Sequence, residues 1–313
     1  MSDNSSISKS FFMRFGRYAG ALFLAFLALL VFEVGTFLSV VIFWLLGTDP
    51  DIYEGTITLV YALVTTGIMY VYYKIVTIKR DKLIMNGKLP VSKALLLVAI
   101  SVGMIGLVTL FLMLVGYIAE SIAPVQEALE DYTESVDRYS SVESSIVPWW
   151  DAVIGFAGSV IFIPILEELT FRGIIMGELL KRFHPAVAIA VSAVIFGILH
   201  GVSIQIVYAL VCGIMLGWIY YLTSSLKASI LVHAIFNLIG GGIPELLDNP
   251  AFAPYTDIAD GILTVGAVAE FALAIPSVIG IVILAKLRKE EMQKARAEKE
   301  AEAVPAETVN EQA

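Results

Sequence analysis

Two acidic residues and one basic residue stand within six positions of an otherwise apolar stretch: Glu167, Glu168 and Arg172. A charged side chain inside a membrane is costly, so an ionisable residue there is by default a candidate for function. On a helix Glu168 and Arg172 share a face because they are four residues apart, while Glu167 points about 100° away. The spacing therefore predicts that Glu168 pairs with Arg172 and that Glu167 is free to face a cavity.

Two histidines and an amide lie in later apolar segments. His200 follows Phe196 by four positions and Asn237 follows His233 by four, so each pair occupies one helix face. Such groups can activate water, bind a metal or donate hydrogen bonds to an oxyanion. They can equally form structural bonds between helices, and the charges around Glu167 can belong to a helix end that reaches the interface. Together, one carboxylate, two imidazoles and one amide suffice for hydrolysis, which favours the catalytic interpretation.

The depths of these groups agree only in part. Glu167 and His200 lie 16 and 15 residues from the turn at 183–185, so we expect them side by side. His233 is only six residues past Lys227 and is expected nearer the cytoplasmic end, unless its helix begins earlier, tilts or is broken.

The three motifs in this order resemble a known family. Glu-Glu-x3-Arg at 167–172, Phe-x3-His at 196–200 and His-x3-Asn at 233–237 look like the signature of the CPBP intramembrane proteases. That family groups CAAX prenyl endopeptidases with bacteriocin-processing and self-immunity (Abi) proteins. The resemblance covers about residues 147–240.

The resemblance implies an endopeptidase that hydrolyses a peptide bond of a membrane-associated protein or peptide substrate. It implies that Glu167 and His200 activate the attacking water, while His233 and Asn237 stabilise the oxyanion. The supporting motif positions are Glu168, Arg172 and Phe196. Members are often described as metalloproteases, which makes zinc an expected cofactor with His200 and His233 as its ligands. A metal-free glutamate mechanism stays open, because a Glu167 bound to zinc would no longer serve as the base.

The composition is that of a membrane protein. Of 313 residues, 58% are hydrophobic and 16% are charged, against about a quarter charged in soluble domains. Long continuous apolar runs predict an all-α fold, a polytopic transmembrane bundle of about eight helices. The single cysteine, Cys212, excludes an internal disulfide and a cysteine-rich metal site, and the net charge of −9 gives no indication of a nucleic-acid partner. The predicted spans are 18–46, 55–76, 94–119, 147–180, 186–200, 203–223, 228–243 and 262–285.

The charges of the connections predict the orientation. Lysine and arginine concentrate in every second connection and acidic residues in the others, which predicts that both termini lie in the cytoplasm. The membrane is expected to be the plasma membrane. The expected organisation is N-terminal transmembrane helices at 1–120, an external acidic loop at 121–146, a catalytic core at 147–243, an external loop with the last transmembrane helix at 244–287, and a charged cytoplasmic tail at 288–313.

Two other functions use the same residue types. A transporter could move protons or ions through a buried Glu/His relay, but such proteins usually show repeated halves or paired broken helices, and the sequence shows neither. A non-catalytic immunity or scaffold protein would carry identical motifs. Cleavage of a membrane substrate by the wild type but not by a Glu167 variant separates these hypotheses.

Overall fold

The computed structural model describes residues 3–49, 52–78, 83–140, 147–201 and 203–302. Within these ranges the regular elements are helices. The long apolar runs form them because a helix satisfies its own backbone hydrogen bonds where lipid offers none. They are α1 (Asp3–Leu45), α2 (Glu54–Thr77), α3 (Val91–Ala119), α4 (Ala123–Ser140), α5 (Trp149–Leu180), α6 (Pro185–Ile198), α7 (Ser203–Thr223), α8 (Leu226–Leu247) and, after a 3₁₀ turn at Pro250–Tyr255, α9 (Thr256–Glu302).

The predicted fold class, a polytopic helical bundle, is confirmed. Seven helices of the described chain are long and apolar enough to cross a membrane, and α6 is a shorter apolar helix at the predicted 186–200 span. Large apolar side chains such as Phe23, Phe26 and Phe37 are exposed on the outside of α1, as expected where lipid takes the place of water. The chain is therefore an integral, multi-pass membrane protein.

The segment predicted as an external acidic loop is largely helical, and the charged tail prolongs the last helix. The acidic segment 121–146 contains α4, which packs against α3 and α7, while its last part, 141–146, lies outside the described residues. The charged tail from residue 288 continues α9 as far as Glu302, and 303–313 are also outside the described residues.

Helix α5 lies at the centre of the bundle. Every residue from Glu168 to Met176 is buried, and Phe171, Ile174 and Ile175 join a core with side chains of α1, α2 and α6. The helix widens to π-helical geometry at Gly158–Phe162 and again at Glu168–Met176. The first wide segment comes just before Pro164, which has no N–H to donate to the helical ladder. Segments of this kind recur at functional sites.

A buried carboxylate joins the first turns of α2 and α5. Asp151 Oδ2 accepts a hydrogen bond from Gly55 N at 2.8 Å, and its Oδ1 accepts one from Thr56 N at 3.0 Å. The first N–H groups of a helix have no partner within it, so Asp151 satisfies two donors of α2. A side chain at Gly55 would place its Cβ 2.0 Å from the Asp151 carbonyl oxygen. Only glycine lets the two helices approach this closely.

The turn between α7 and α8 is recessed into the bundle. Residues 83–87 lie against it: Gly87 N donates to Ser224 O at 2.7 Å, and Leu226 N donates to Met85 O at 3.0 Å. Met85 N in turn donates to Tyr220 Oη at 2.8 Å. Ser225 is fully buried. Helix α8 therefore begins inside the protein.

The same segment also lies beside the second half of α5. The side chain of Ile84 is close to Gly173, and the Leu83 carbonyl is close to Gly177. The start of α8 is thus level with about residues 173–177 of α5. This raises His233 to the level of Glu167 and removes the discrepancy in depth that its distance from Lys227 had suggested.

Candidate active site

An ion pair at the centre of α5 anchors the site. Arg172 Nη1 lies 2.7 Å from Glu168 Oε1, and both side chains are almost completely buried. Arg172 Nη2 also donates to Gly213 O of α7 at 3.2 Å. The contact predicted from the four-residue spacing is therefore present, and it connects α5 to α7 as well.

Glu168 also holds a histidine of α8. His233 Nδ1 lies 3.0 Å from the same Oε1 atom that contacts Arg172. Glu168 Oε1 also accepts from Arg172 Nη1, and a carboxylate oxygen accepts hydrogen bonds, so Nδ1 of His233 is the donor. The ring of His233 is thereby fixed, and its second nitrogen, Nε2, points elsewhere.

That second nitrogen faces Glu167. His233 Nε2 is 3.5 Å from Glu167 Oε2, and the Glu167 side chain is 18% exposed whereas that of Glu168 is 0% exposed. The adjacent carboxylates thus differ in accessibility: Glu168 is tied to Arg172, and Glu167 is partly exposed. Glu167 was also expected to face a cavity, but it is not among the residues that line the cavity containing His233. The resemblance had paired Glu167 with His200, whereas the imidazole next to Glu167 in the structure is that of His233. The catalytic roles of both histidines stay predictions.

Phe196 of α6 is the packing surface for the cationic and imidazole groups. The Arg172 guanidinium lies 4.5 Å from the centre of its ring, an attractive cation–π arrangement. The His200 and His233 rings lie 4.4 and 6.0 Å from it, centre to centre. One aromatic side chain therefore contacts three motif residues from three helices.

The environment of His200 selects its tautomer. Its Nδ1 is 2.7 Å from Phe196 O. A carbonyl oxygen can only accept, so Nδ1 carries the proton, and in the neutral ring Nε2 keeps a lone pair. In a neutral His200 the nitrogen left to accept a proton is therefore Nε2.

Asn237 is oriented by the backbone of α5. Its Nδ2 donates to Ser159 O at 2.9 Å, within the first π-helical segment. An amide nitrogen has two hydrogens, so this bond fixes the side chain and leaves a second donor for a ligand.

A cavity of about 390 Å³ lies beside the polar cluster. Phe196, His200, His233 and Asn237 line it, whereas Glu167 does not and reaches it only through the neighbouring His233. Most of the lining contributed by α3 and α7 is apolar: Met104, Ile105, Val108, Leu112, Ala209, Cys212 and Leu216.

Several polar lining residues were not predicted. Thr109, Gln205, Tyr208 and Glu245 each lie in the cavity wall. They come from α3, α7 and α8. Even Gln205 and Tyr208, which are three residues apart on α7, are uncharged side chains that do not stand out in the sequence of an apolar helix. Their common position arises only from the packing of the three helices.

The side chains as placed do not fit the predicted zinc site. A catalytic zinc needs three protein ligands around one point. In the described part of the chain no three His, Cys, Asp or Glu side chains are grouped closely enough to hold a metal ion. Both ring nitrogens of His233 already face carboxylates, and Nδ1 of His200 is bound to a carbonyl.

Comparison with known proteins identifies similarity in the part of the chain that carries these residues. Residues 148–239 match a family model described as type II CAAX prenyl endopeptidase Rce1-like. The predicted resemblance to the CPBP family is confirmed. A relative from Bacillus subtilis (strain 168), named "Putative membrane peptidase YdiL", is 30% identical over 134 residues.

The CPBP match has defined limits. The aligned part is 42% of this chain and 55% of the Bacillus subtilis relative, so it spans about half of that protein. No solved structure matches. The CPBP-like segment begins at the last residue before α5 and ends two residues past Asn237. It therefore contains the whole polar cluster and leaves α1, α2 and α3 outside.

Proposed function

We propose that the protein is an intramembrane endopeptidase that hydrolyses a peptide bond of a membrane-associated protein or peptide. One observation carries the proposal: His200 of α6 and His233 and Asn237 of α8 line one cavity among apolar helices, and His233 connects that cavity to Glu167 of α5. Buried charges are costly and persist where they are used. The family match and the peptidase name of the relative support the same reaction class.

The first part of the proposed mechanism is orientation. Arg172 holds Glu168, and Glu168 holds Nδ1 of His233, so Nε2 is presented to Glu167. A reactive group held by a partner that is itself held by a third group is the usual arrangement of activated sites. Glu168 and Arg172 act here as positioning residues.

The second part is attack by water. Glu167, aided by the lone pair of His200 Nε2, takes a proton from water as its oxygen bonds to the carbonyl carbon of the substrate. Asn237, and His233 when Nε2 carries a proton, donate hydrogen bonds to the oxyanion. Collapse of the intermediate breaks the C–N bond, and Glu167 returns the proton to the leaving amine.

The third part is substrate placement. The apolar wall from α3 and α7 and the polar groups line the same cavity. Sites of this kind bury apolar groups of a ligand and use a few polar atoms to fix its orientation. We propose that apolar side chains next to the scissile bond lie against this wall.

The test is a comparison of new protein N-termini in membranes. Membrane fractions from cells that express the wild type or Glu167→Gln are profiled by quantitative mass spectrometry. We expect a set of new N-termini with the wild type that is missing with Glu167→Gln. The matched control is Glu270→Gln, which makes the same change on α9 outside the polar cluster.

The result also separates the other hypotheses. The control should keep the wild-type set of N-termini. Identical profiles for wild type and Glu167→Gln, at equal protein levels, would favour a scaffold or transporter and contradict the proposal.

A further inference from the structure

A second cavity lies where α1 passes the turn between α5 and α6. Its volume is about 420 Å³, and the described residues that line it are Arg17, Tyr18, Lys181 and Arg182. Helix α1 packs against the end of α5, and the Tyr18 ring lies 5.2 Å from that of Phe183. The cavity is therefore a feature of the packed helices rather than of one flexible side chain.

The lining favours an anion. Three of the four side chains are cationic, and the fourth has a hydroxyl group that can donate a hydrogen bond. The Arg182 guanidinium is placed over the turn by a hydrogen bond from Nη1 to Lys181 O at 3.1 Å. Arg17 and Lys181 have further polar contacts within the chain. Arginine and lysine around one space are the combination that binds phosphate groups.

The location favours a lipid as the source of that anion. Arg17 lies at the start of the span Gly16–Leu45, and Lys181 directly follows the span Trp149–Leu180. Both therefore lie at the ends of membrane-spanning helices, at the level of lipid head groups. Tyr18 is 43% exposed there, in the position that tyrosine prefers at an interface.

We propose that this cavity binds a phosphate-bearing anion, with the head group of an anionic phospholipid as its membrane source and inorganic phosphate as its soluble source. Basic pockets between transmembrane helices bind such head groups. A bound phosphate bridges α1 to the end of α5, so it stabilises the contact between the N-terminal helix and the helix that carries Glu167. Binding of an anion in this cavity does not depend on proteolysis and can be measured in the absence of any substrate.

The experiment uses the full-length protein in nanodiscs. Phosphatidylcholine nanodiscs are compared with nanodiscs that also contain phosphatidylglycerol, and a third sample has phosphatidylcholine with inorganic phosphate added. Native mass spectrometry counts retained lipid, and the thermal midpoint reports stabilisation. Each basic residue is worth about 1 kcal/mol towards anionic lipid, or roughly a fivefold change in affinity. We expect the Arg17→Gln/Arg182→Gln variant to bind phosphatidylglycerol roughly 30-fold more weakly.

The matched control is Lys88→Gln/Lys227→Gln. It removes the same charge from two exposed residues that do not line the cavity, and it should bind as the wild type does. If the double arginine variant does not accumulate, Arg182→Gln alone should still show a roughly fivefold loss. Stabilisation by phosphatidylglycerol alone assigns the site to lipid, and equal stabilisation by inorganic phosphate assigns it to the free ion. Equal losses in both double variants, or no stabilisation by either anion, would overturn the proposal.

Discussion

Adjacent residues of one helix have opposite surroundings at the centre of this protein. Glu168 contacts Arg172 and His233 and is fully buried, whereas Glu167 is partly accessible and has His233 as its neighbour at 3.5 Å. One residue along a helix turns a side chain by about 100°, which is enough to separate a structural carboxylate from an accessible one.

This separation predicts different effects of the same substitution. Glu167→Gln should abolish hydrolysis with little change in the thermal midpoint. Glu168→Gln should lower the free energy of unfolding by about 3–5 kcal/mol, because Arg172 keeps a buried charge without its carboxylate. Thermal unfolding and a peptide-cleavage assay measure the two effects. The roles are reversed if Glu168→Gln is fully stable while Glu167→Gln unfolds.

Asn237→Ala should slow turnover by about 100- to 1,000-fold, the usual effect of removing one oxyanion donor. The second hydrogen of the Asn237 amide is the proposed oxyanion donor, because the first is bound to the carbonyl oxygen of Ser159. Ser159→Ala is the control, because it changes the side chain and leaves that carbonyl in place. Equal rates for Asn237→Ala and wild type would remove Asn237 from the mechanism.

Chelation should leave activity unchanged. The described side chains do not group three metal ligands, and His233 already faces two carboxylates. The measurement is the cleavage rate after dialysis against a strong chelator, together with the metal content of the active protein. Stoichiometric zinc that disappears together with activity would contradict this prediction and restore His200 and His233 as ligands.

Spacing along one helix predicted the contacts within that helix, but not those between helices. The pair Glu168–Arg172 followed from four residues of separation. The contact of Glu167 with His233 could not be predicted, because it depends on where α8 begins, and a segment far away in the sequence sets that position. Gln205 and Tyr208 are three residues apart on α7, but that spacing alone could not show that they face a cavity whose other walls come from α3 and α8.

Helix pairs are joined here by close backbone contacts as well as by side chains. At the start of α2, Gly55 lies against Asp151, and the same carboxylate accepts two of the free N–H groups of that helix. The sequence predicted a span beginning at 55, but not this junction. Nothing in the spacing of Asp151 along its own helix indicates that it contacts the start of α2.

Gly55→Ala should destabilise the protein by about 1–3 kcal/mol, the usual effect of forcing an extra carbon into a packed contact. The control is Gly67→Ala on the same helix, where a Cβ meets nothing within 4 Å. That change should be neutral or slightly stabilising, because alanine favours helix more than glycine does. The comparison is made by thermal unfolding in detergent. Equal midpoints for both variants would show that α2 can move away from α5.

The number of crossings determines on which sides of the membrane the two ends lie. Seven helices are long enough to span, while α6 has 14 residues and a length of about 21 Å, against a hydrocarbon core of about 30 Å. Helix α6 packs along α7. We propose that the two cross as a hairpin, which makes eight crossings with both ends in the cytoplasm of a plasma-membrane protein, as the basic connections indicate.

Cysteine labelling tests this orientation. In a Cys212→Ala background, Lys88→Cys and Lys294→Cys should react with an impermeant reagent only from the cytoplasmic side. Thr133→Cys on α4 should react only from outside. All three positions are exposed, so accessibility follows the membrane rather than burial. Reaction of Lys294→Cys from outside would mean that α6 and its turn do not cross.

The recessed turn between α7 and α8 has a consequence for the order of synthesis. Tyr220, whose hydroxyl accepts a hydrogen bond from Met85 N, is synthesised 135 residues after Met85. A ribosome needs roughly 7–27 s for that length of chain. Through that interval the apolar residues 83–85 lack their final neighbours, so we expect the insertion machinery or a chaperone to shield them. His233 is made later still. The nascent chain therefore carries Glu167, Glu168 and Arg172 without their imidazole, and the site can become reactive only after α8 has docked.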